Sequence, residues 1–182
     1  MLRPVRRVVT GHDSEGRAII LSDTVSPHVK EAALQPGRGL TDLWRTDQTP
    51  ANNAGDADAA DTDVVLTPPA NGSVFRYFQV LPESAGGGTE EERQRIADAA
   101  FSGMGATHNR DRSARHPNMH RTHTTDYIIV LEGEVTMLVD EGEVHLKPLD
   151  VVIQRGTNHA WANYGEKTAV LAAILIDAEP LP

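Results

Sequence analysis

Residues 119–163 read MHRTHTTDYIIVLEGEVTMLVDEGEVHLKPLDVVIQRGTNHAWAN, and this stretch decides the fold. It holds two histidine-bearing segments joined by about thirty apolar-rich residues, with His120, His123 and Asp126 in the first and Gly156, His159 and Asn163 in the second. Side chains alternate across a strand, so His120, Thr122, Thr124 and Asp126 share one face, and His123 points away unless a bulge re-aims it. The run Tyr127–Leu131 is continuously apolar, which predicts a strand buried on both faces. Val135–Val139 and Val144–Leu146 flank the turn Asp140-Glu141-Gly142 and predict a hairpin. Val151-Val152-Ile153 supplies the next strand, and the turn at 154–158 returns the chain to deliver His159. A meander of this kind brings both histidine segments to one end of a small barrel.

Two or three imidazoles and a carboxylate are the donor types that borderline divalent ions take, with positions left over for water or substrate. His120 and His159 lead as metal-ligand candidates, followed by Asp126 and then His123. His116 is a candidate fourth ligand or proton-transfer group, because imidazole titrates near neutral pH. Arg121, with Arg110, Arg112 and Arg115, surrounds the approach to His120 and could draw in an anionic substrate. Trp161 shares a face with His159 and is the expected aromatic wall of a pocket. Gln154 is a further substrate-binding candidate, and Asn163 or Thr122 could fix the ring tautomers.

The segment resembles a cupin, whose first motif reads G-x5-H-x-H-x3,4-E-x6-G and whose second reads G-x5-P-x-G-x2-H-x3-N. His120 matches the first histidine, Asp126 stands where the glutamate falls, and six residues separate it from Gly133. Gly156, His159 and Asn163 match the second motif in order and spacing. The departures are Thr122 at the second histidine position, the shorter acid at Asp126, and Gln154 in place of proline. The resemblance covers about residues 73–177 and implies an all-β fold, a double-stranded β-helix (jelly-roll) barrel, here with one short helix and an N-terminal β arm. It also implies a divalent ion (Fe, Mn, Ni or Zn) in the barrel. More loosely, the chain is similar to small cupins of aromatic-polyketide and other secondary-metabolite pathways, some described as oxidoreductases.

The remaining sequence bounds the reading. A chain of 182 residues suits one domain, able to bury about 70% of its extended surface. Net charge is −9, which argues against a general nucleic-acid or anionic-membrane partner. There is no cysteine, so disulfides and thiolate catalysis are excluded. No apolar stretch reaches signal-peptide or membrane-span length, which leads to the expectation of a soluble, cytoplasmic protein. No Ser-His-Asp elbow, phosphate-binding glycine loop, dinucleotide fingerprint or HExxH is present.

Val5–Thr10 and Arg17–Leu21 predict a hairpin arm, which the resemblance suggests pairs with a second copy in a homodimer. Residues 1–63 are taken as arm and mobile loop, with Asn52–Asp63 too poor in bulky residues to pack, and 64–182 as the barrel. Trp44 is expected to anchor that loop or line the pocket mouth. Thr89 followed by three glutamates caps a helix that runs to Gly103. The expected function is a metal-dependent enzyme acting on a small oxygenated or carboxylated organic molecule, as oxidoreductase, dioxygenase, lyase or isomerase. The alternative is a non-catalytic cupin that binds a small molecule.

Overall fold

The computed structural model describes residues 1–86 and 88–180. In chain order the elements are β1 (Arg6–His12), β2 (Ala18–Val25), β3 (Val29–Glu31), β4 (Gly39–Thr46), β5 (Ser73–Val80), α1 (Glu90–Gly103), β6 (Thr124–Glu132), β7 (Val135–Val139), β8 (Glu143–Leu146), β9 (Val151–Arg155), β10 (His159–Ala162) and β11 (Ala169–Asp177). Six strands form one sheet in the order β3-β4-β5-β11-β6-β9, and β10-β7-β8 form a second. All pairings are antiparallel. The inward faces meet in one core of Val74, Ile128, Val130, Val135, Met137, Leu146, Leu171, Ala173 and Leu175. This is the jelly-roll barrel expected.

Three local rules place the site. In β6 the inward set is Thr124, Asp126, Ile128 and Val130, whereas Tyr127 is 43% exposed. The strand therefore alternates rather than burying both faces, because β6 lies in a sheet with one face to solvent. Gly133 turns the chain into β7 at φ 69°, where a Cβ would sit 2.8 Å from the Ala169 Cα and the Thr168 carbonyl oxygen. Only glycine fits there. Helix α1 begins with a reciprocal capping box in which the Thr89 hydroxyl accepts from the Glu92 amide and the Glu92 carboxylate accepts from the Thr89 amide.

Two boundaries differ from the sequence expectation. The main sheet begins at Val29, not near residue 64, because β4 pairs with β5 along its length. A register shift between Asp42 and Trp44 breaks the alternation, so Thr41, Asp42 and Leu43 are all buried in succession. The segment 52–63 is also not simply loose. Asp58 pairs with the buried Arg7 and lies 2.9 Å from His28 Nε2, and Ala60 is fully buried. Those hydrogen bonds, the Arg7 one first, hold the Asp58 carboxyl well below the usual carboxylate range. The same Arg7 donates to the Leu43 carbonyl oxygen, which ties the β1–β2 arm to β4.

Candidate active site

The two histidine segments converge through backbone pairing. His120 N donates to the His159 carbonyl oxygen and His159 N donates to that of His120, both at 2.9 Å, so the two residues sit directly opposite each other. Their ring centroids are 4.4 Å apart. His120 thus belongs beside β10 in the smaller sheet, and the chain crosses to the larger sheet only at Thr124. Through the crossing, 120 and 122 point inward while Arg121 and His123 stay exposed, with no bulge to re-aim them. Arg121 and His123 line a separate, smaller pocket with Thr125 and Arg155. The expected ligand His123, and Arg121, expected at the approach to His120 as a substrate-attracting or catalytic group, are therefore outside the cavity.

Behind the pair, a backbone carbonyl oxygen faces each Nδ1. His120 Nδ1 lies 2.9 Å from the Asn118 carbonyl oxygen, and His159 Nδ1 lies 3.0 Å from the Thr157 carbonyl oxygen. A carbonyl oxygen only accepts, so the His120 Nδ1 carries the proton and its Nε2 keeps the lone pair; at His159 the Thr157 carbonyl oxygen favours the same tautomer, with the Gln154 amide nitrogen 3.1 Å from Nδ1 as a competing donor. Neither Nε2 has a partner among the described residues, and both rings line the same cavity. Gln154 Nε2 donates to the Thr157 carbonyl oxygen at 2.9 Å and lies 3.1 Å from His159 Nδ1, which buttresses His159 from behind. Gln154 is thus a positioning residue rather than a cavity wall. Asn163 is likewise structural: its amide donates to the Val80 and Lys167 carbonyl oxygens and its Oδ1 accepts from the Gly165 amide.

Burial sets the charge states. It pushes His120 down to about 3, with the neighbouring His159 charge and Arg38 acting in the same direction, and His159 down to about 4. Both rings are neutral at pH 7. Burial raises Asp126 to about 6 against the opposing Thr124 hydrogen bond and Arg76 charge. Its Oδ1 is buried with no hydrogen-bond partner. A buried carboxyl oxygen left in this way costs about 1–3 kcal/mol, a cost that structures carry at working sites.

The cavity measures about 430 Å³, the size that takes a small organic ligand. Trp161, Phe78, Ile128 and Phe101 supply apolar walls, and His116, Thr122 and Asp126 add polar groups. Phe101, from α1, packs 5.1 Å from the His120 ring, so the helix covers the barrel mouth. Trp161 stands edge-on to His159 at 5.9 Å, as expected. His116 also lines the cavity, with Nε2 3.4 Å from Glu83 Oε1. Trp44 does not line it. The sequence did not point to Arg38, Asn118, Phe78 or Phe101: the first lies in a Pro/Gly-rich run, and the helix carries no motif residue.

The donor set can be tested against a divalent ion. His120 and His159 offer correctly oriented lone pairs, and Thr122 occupies the second histidine position of the motif. Its hydroxyl is committed to Thr124 Oγ1 at 2.7 Å. Asp126 lies in the other sheet, and no group of three His, Asp or Glu side chains close enough to share an ion occurs among the described residues. Two protein ligands fall short of the three that hold a catalytic ion. The residues do not assemble the expected ligand set.

A jelly-roll barrel with a histidine-lined mouth under a helical cover defines the class. The Cupin domain model matches residues 111–176. The chain is 30% identical over 167 residues, 89% of its length, to the cupin-domain-containing oxidoreductase fogC of Aspergillus ruber, covering 66% of that protein. It is 29% identical over 188 residues to the phomopsin biosynthesis cluster protein C' of Diaporthe leptostromiformis, covering 99% of this chain and 82% of that one. Among solved structures, a Cupin 2 conserved barrel domain protein from Salinispora arenicola aligns at 15% identity and a TM-score of 0.42, over 81% of this chain and 82% of that one. The chain belongs to the cupin superfamily.

Proposed function

We propose that this cupin is an enzyme of secondary metabolism, of the oxidoreductase type named for its relatives, acting on a small oxygenated or carboxylated organic molecule held in the cavity. The observation that carries the proposal is the His120–His159 pair, two neutral imidazoles whose Nε2 lone pairs face an apolar-walled space. Such a pair accepts hydrogen bonds from a hydroxyl or enol of the substrate. Asp126, with an unpartnered oxygen and an affinity for protons near neutrality, is the group suited to take or return a proton. The oxidoreductase class itself rests on the relatives. An oxidoreductase reaction needs an electron acceptor or donor as co-substrate, and the chain has no cysteine pair to serve as one.

The chain is tested with hydroxylated aromatic compounds in a Trp44→Phe background, where Trp161 is the sole tryptophan. Quenching of Trp161 that weakens at least roughly tenfold in His159→Ala is expected, since losing the acceptor leaves a buried hydroxyl unpaired. Quenching unaffected by both His120→Ala and His159→Ala would overturn the proposal. Binding that depends on the pair but yields no product with any oxidant supports the non-catalytic alternative, which the missing third ligand favours. Protein purified without a histidine tag, saturated with Fe(II), Mn(II), Ni(II) or Zn(II) and dialysed, is expected to retain below roughly a tenth of an equivalent of each, given two protein ligands. Near-stoichiometric retention that is lost in His159→Ala would restore a resident ion.

The β1–β2 arm forms a separate two-stranded sheet, and Val8, Ile19, Ile20 and Val25 on it are exposed. An isolated hairpin is marginal in water, so we propose that this arm packs on a second copy. Light scattering should show a dimer that Ile20→Asp converts to monomer, whereas a monomeric wild-type chain would contradict it. No described helix is long and apolar enough to cross a membrane.

A further inference from the structure

We propose that Arg38 reads a carboxylate of the substrate, so that the cavity selects a hydroxy acid whose hydroxyl and carboxylate stand close together. The inference rests on the cavity being the substrate site and specifies what enters it. Arg38 is half-buried and lines the cavity, where loss of water pulls its guanidinium down from the usual value. A guanidinium in such a place ordinarily has a carboxylate partner. Arg38 has none within ion-pair distance among the described residues. Its hydrogen bonds go to two neutral oxygens, Gln35 Oε1 at 3.2 Å from Nη1 and Asn118 Oδ1 at 2.9 Å from Nη2. Three of its five N–H donors are thus left for a ligand.

The other neighbouring charges are engaged except Lys30, on the exposed strand β3, which lines the cavity with no ion pair among the described residues. Arg76 binds Asp42 and the Val65 and Leu66 carbonyl oxygens, Arg93 pairs with Glu90, and Glu83, whose charge acts on Arg38 from beyond ion-pair distance, lies 3.4 Å from His116 Nε2. Asn118 sets the spacing of the two reading groups. Its carbonyl oxygen accepts from His120 Nδ1, and its side-chain oxygen accepts from Arg38 Nη2, so one residue orients both imidazole and guanidinium. A planar, bidentate donor of this kind suits a carboxylate, while the His120 Nε2 accepts from an adjacent hydroxyl.

The probe pair is 1-hydroxy-2-naphthoate and its uncharged amide, measured by calorimetry on the full chain and on Arg38→Gln, Arg38→Lys and His159→Ala. Wild type is expected to bind the acid at least roughly tenfold more tightly than the amide, as losing a charge-assisted, bidentate contact demands. Arg38→Gln should erase that preference by weakening the acid far more than the amide, and Arg38→Lys should restore part of it. Equal binding of acid and amide by wild type, or a preference that survives Arg38→Gln, would overturn the role of Arg38 alone. Failure of both probes to bind wild type, or amide binding indifferent to His159→Ala, would overturn the cavity assignment beneath it and the Arg38 role with it.

Discussion

Asp42→Ala should lower the free energy of unfolding by about 3–5 kcal/mol, the cost of leaving one member of a buried ion pair without its partner. Arg76 and Asp42 are 2% and 1% exposed, with Nε 2.9 Å from Oδ1 and Nη2 3.1 Å from Oδ2. The guanidinium also donates to the Val65 and Leu66 carbonyl oxygens, so one side chain joins β4, β5 and the segment before β5. Removing the carboxylate leaves Arg76 charged beside the cavity with only carbonyl partners. Chemical denaturation of the variant checks this, and a loss below about 1 kcal/mol would mean that the pair contributes as little as an exposed one.

The second large effect concerns acid. His120 and His159 have folded values of about 3 and about 4 against 6.5 for the ordinary side chain. Between pH 6.5 and 4 the unfolded chain therefore binds protons that the folded chain refuses. The stability these neutral rings allow is complete above 6.5 and is lost as the pH falls. Two groups at about 1.4 kcal/mol per pH unit each should make wild-type stability fall relative to His120→Asn/His159→Asn by about 3 kcal/mol per unit across that window. Asp126 runs the other way: its raised value stabilises the folded state as the pH drops from 6 towards 4. It is present in both proteins and cancels in the comparison. Parallel stability curves would contradict the burial and neutrality of the pair.

The histidine end of the barrel was legible because its signal is local: two glycine-bounded histidine segments, strict alternation and a short hairpin turn. That same alternation put Trp161 in the cavity, whereas the continuous apolar run at 127–131 masked the exposure of Tyr127. The third ligand was misjudged because His120 and Asp126 look like one strand on paper. The chain instead changes sheets between them, which no periodicity records. Arg38 escaped notice because Pro36-Gly37-Arg38-Gly39 reads as loose loop. Gly39 is there for packing, since a Cβ would fall 2.2 Å from the Lys30 carbonyl oxygen where β3 meets β4. Segment 52–63 misled for a related reason: its anchors are one aspartate and one alanine, residues whose burial depends on partners far away in sequence.

The central claim, that His120 and His159 present neutral Nε2 acceptors to a ligand in the barrel, is tested most directly by long-range 15N NMR of histidine-labelled protein at pH 7. Both rings are expected to be Nδ1-protonated with unprotonated Nε2, and adding 1-hydroxy-2-naphthoate or its amide is expected to move the Nε2 resonances. Rings found protonated at Nε2, or Nε2 resonances unmoved by a compound that demonstrably binds, would contradict it.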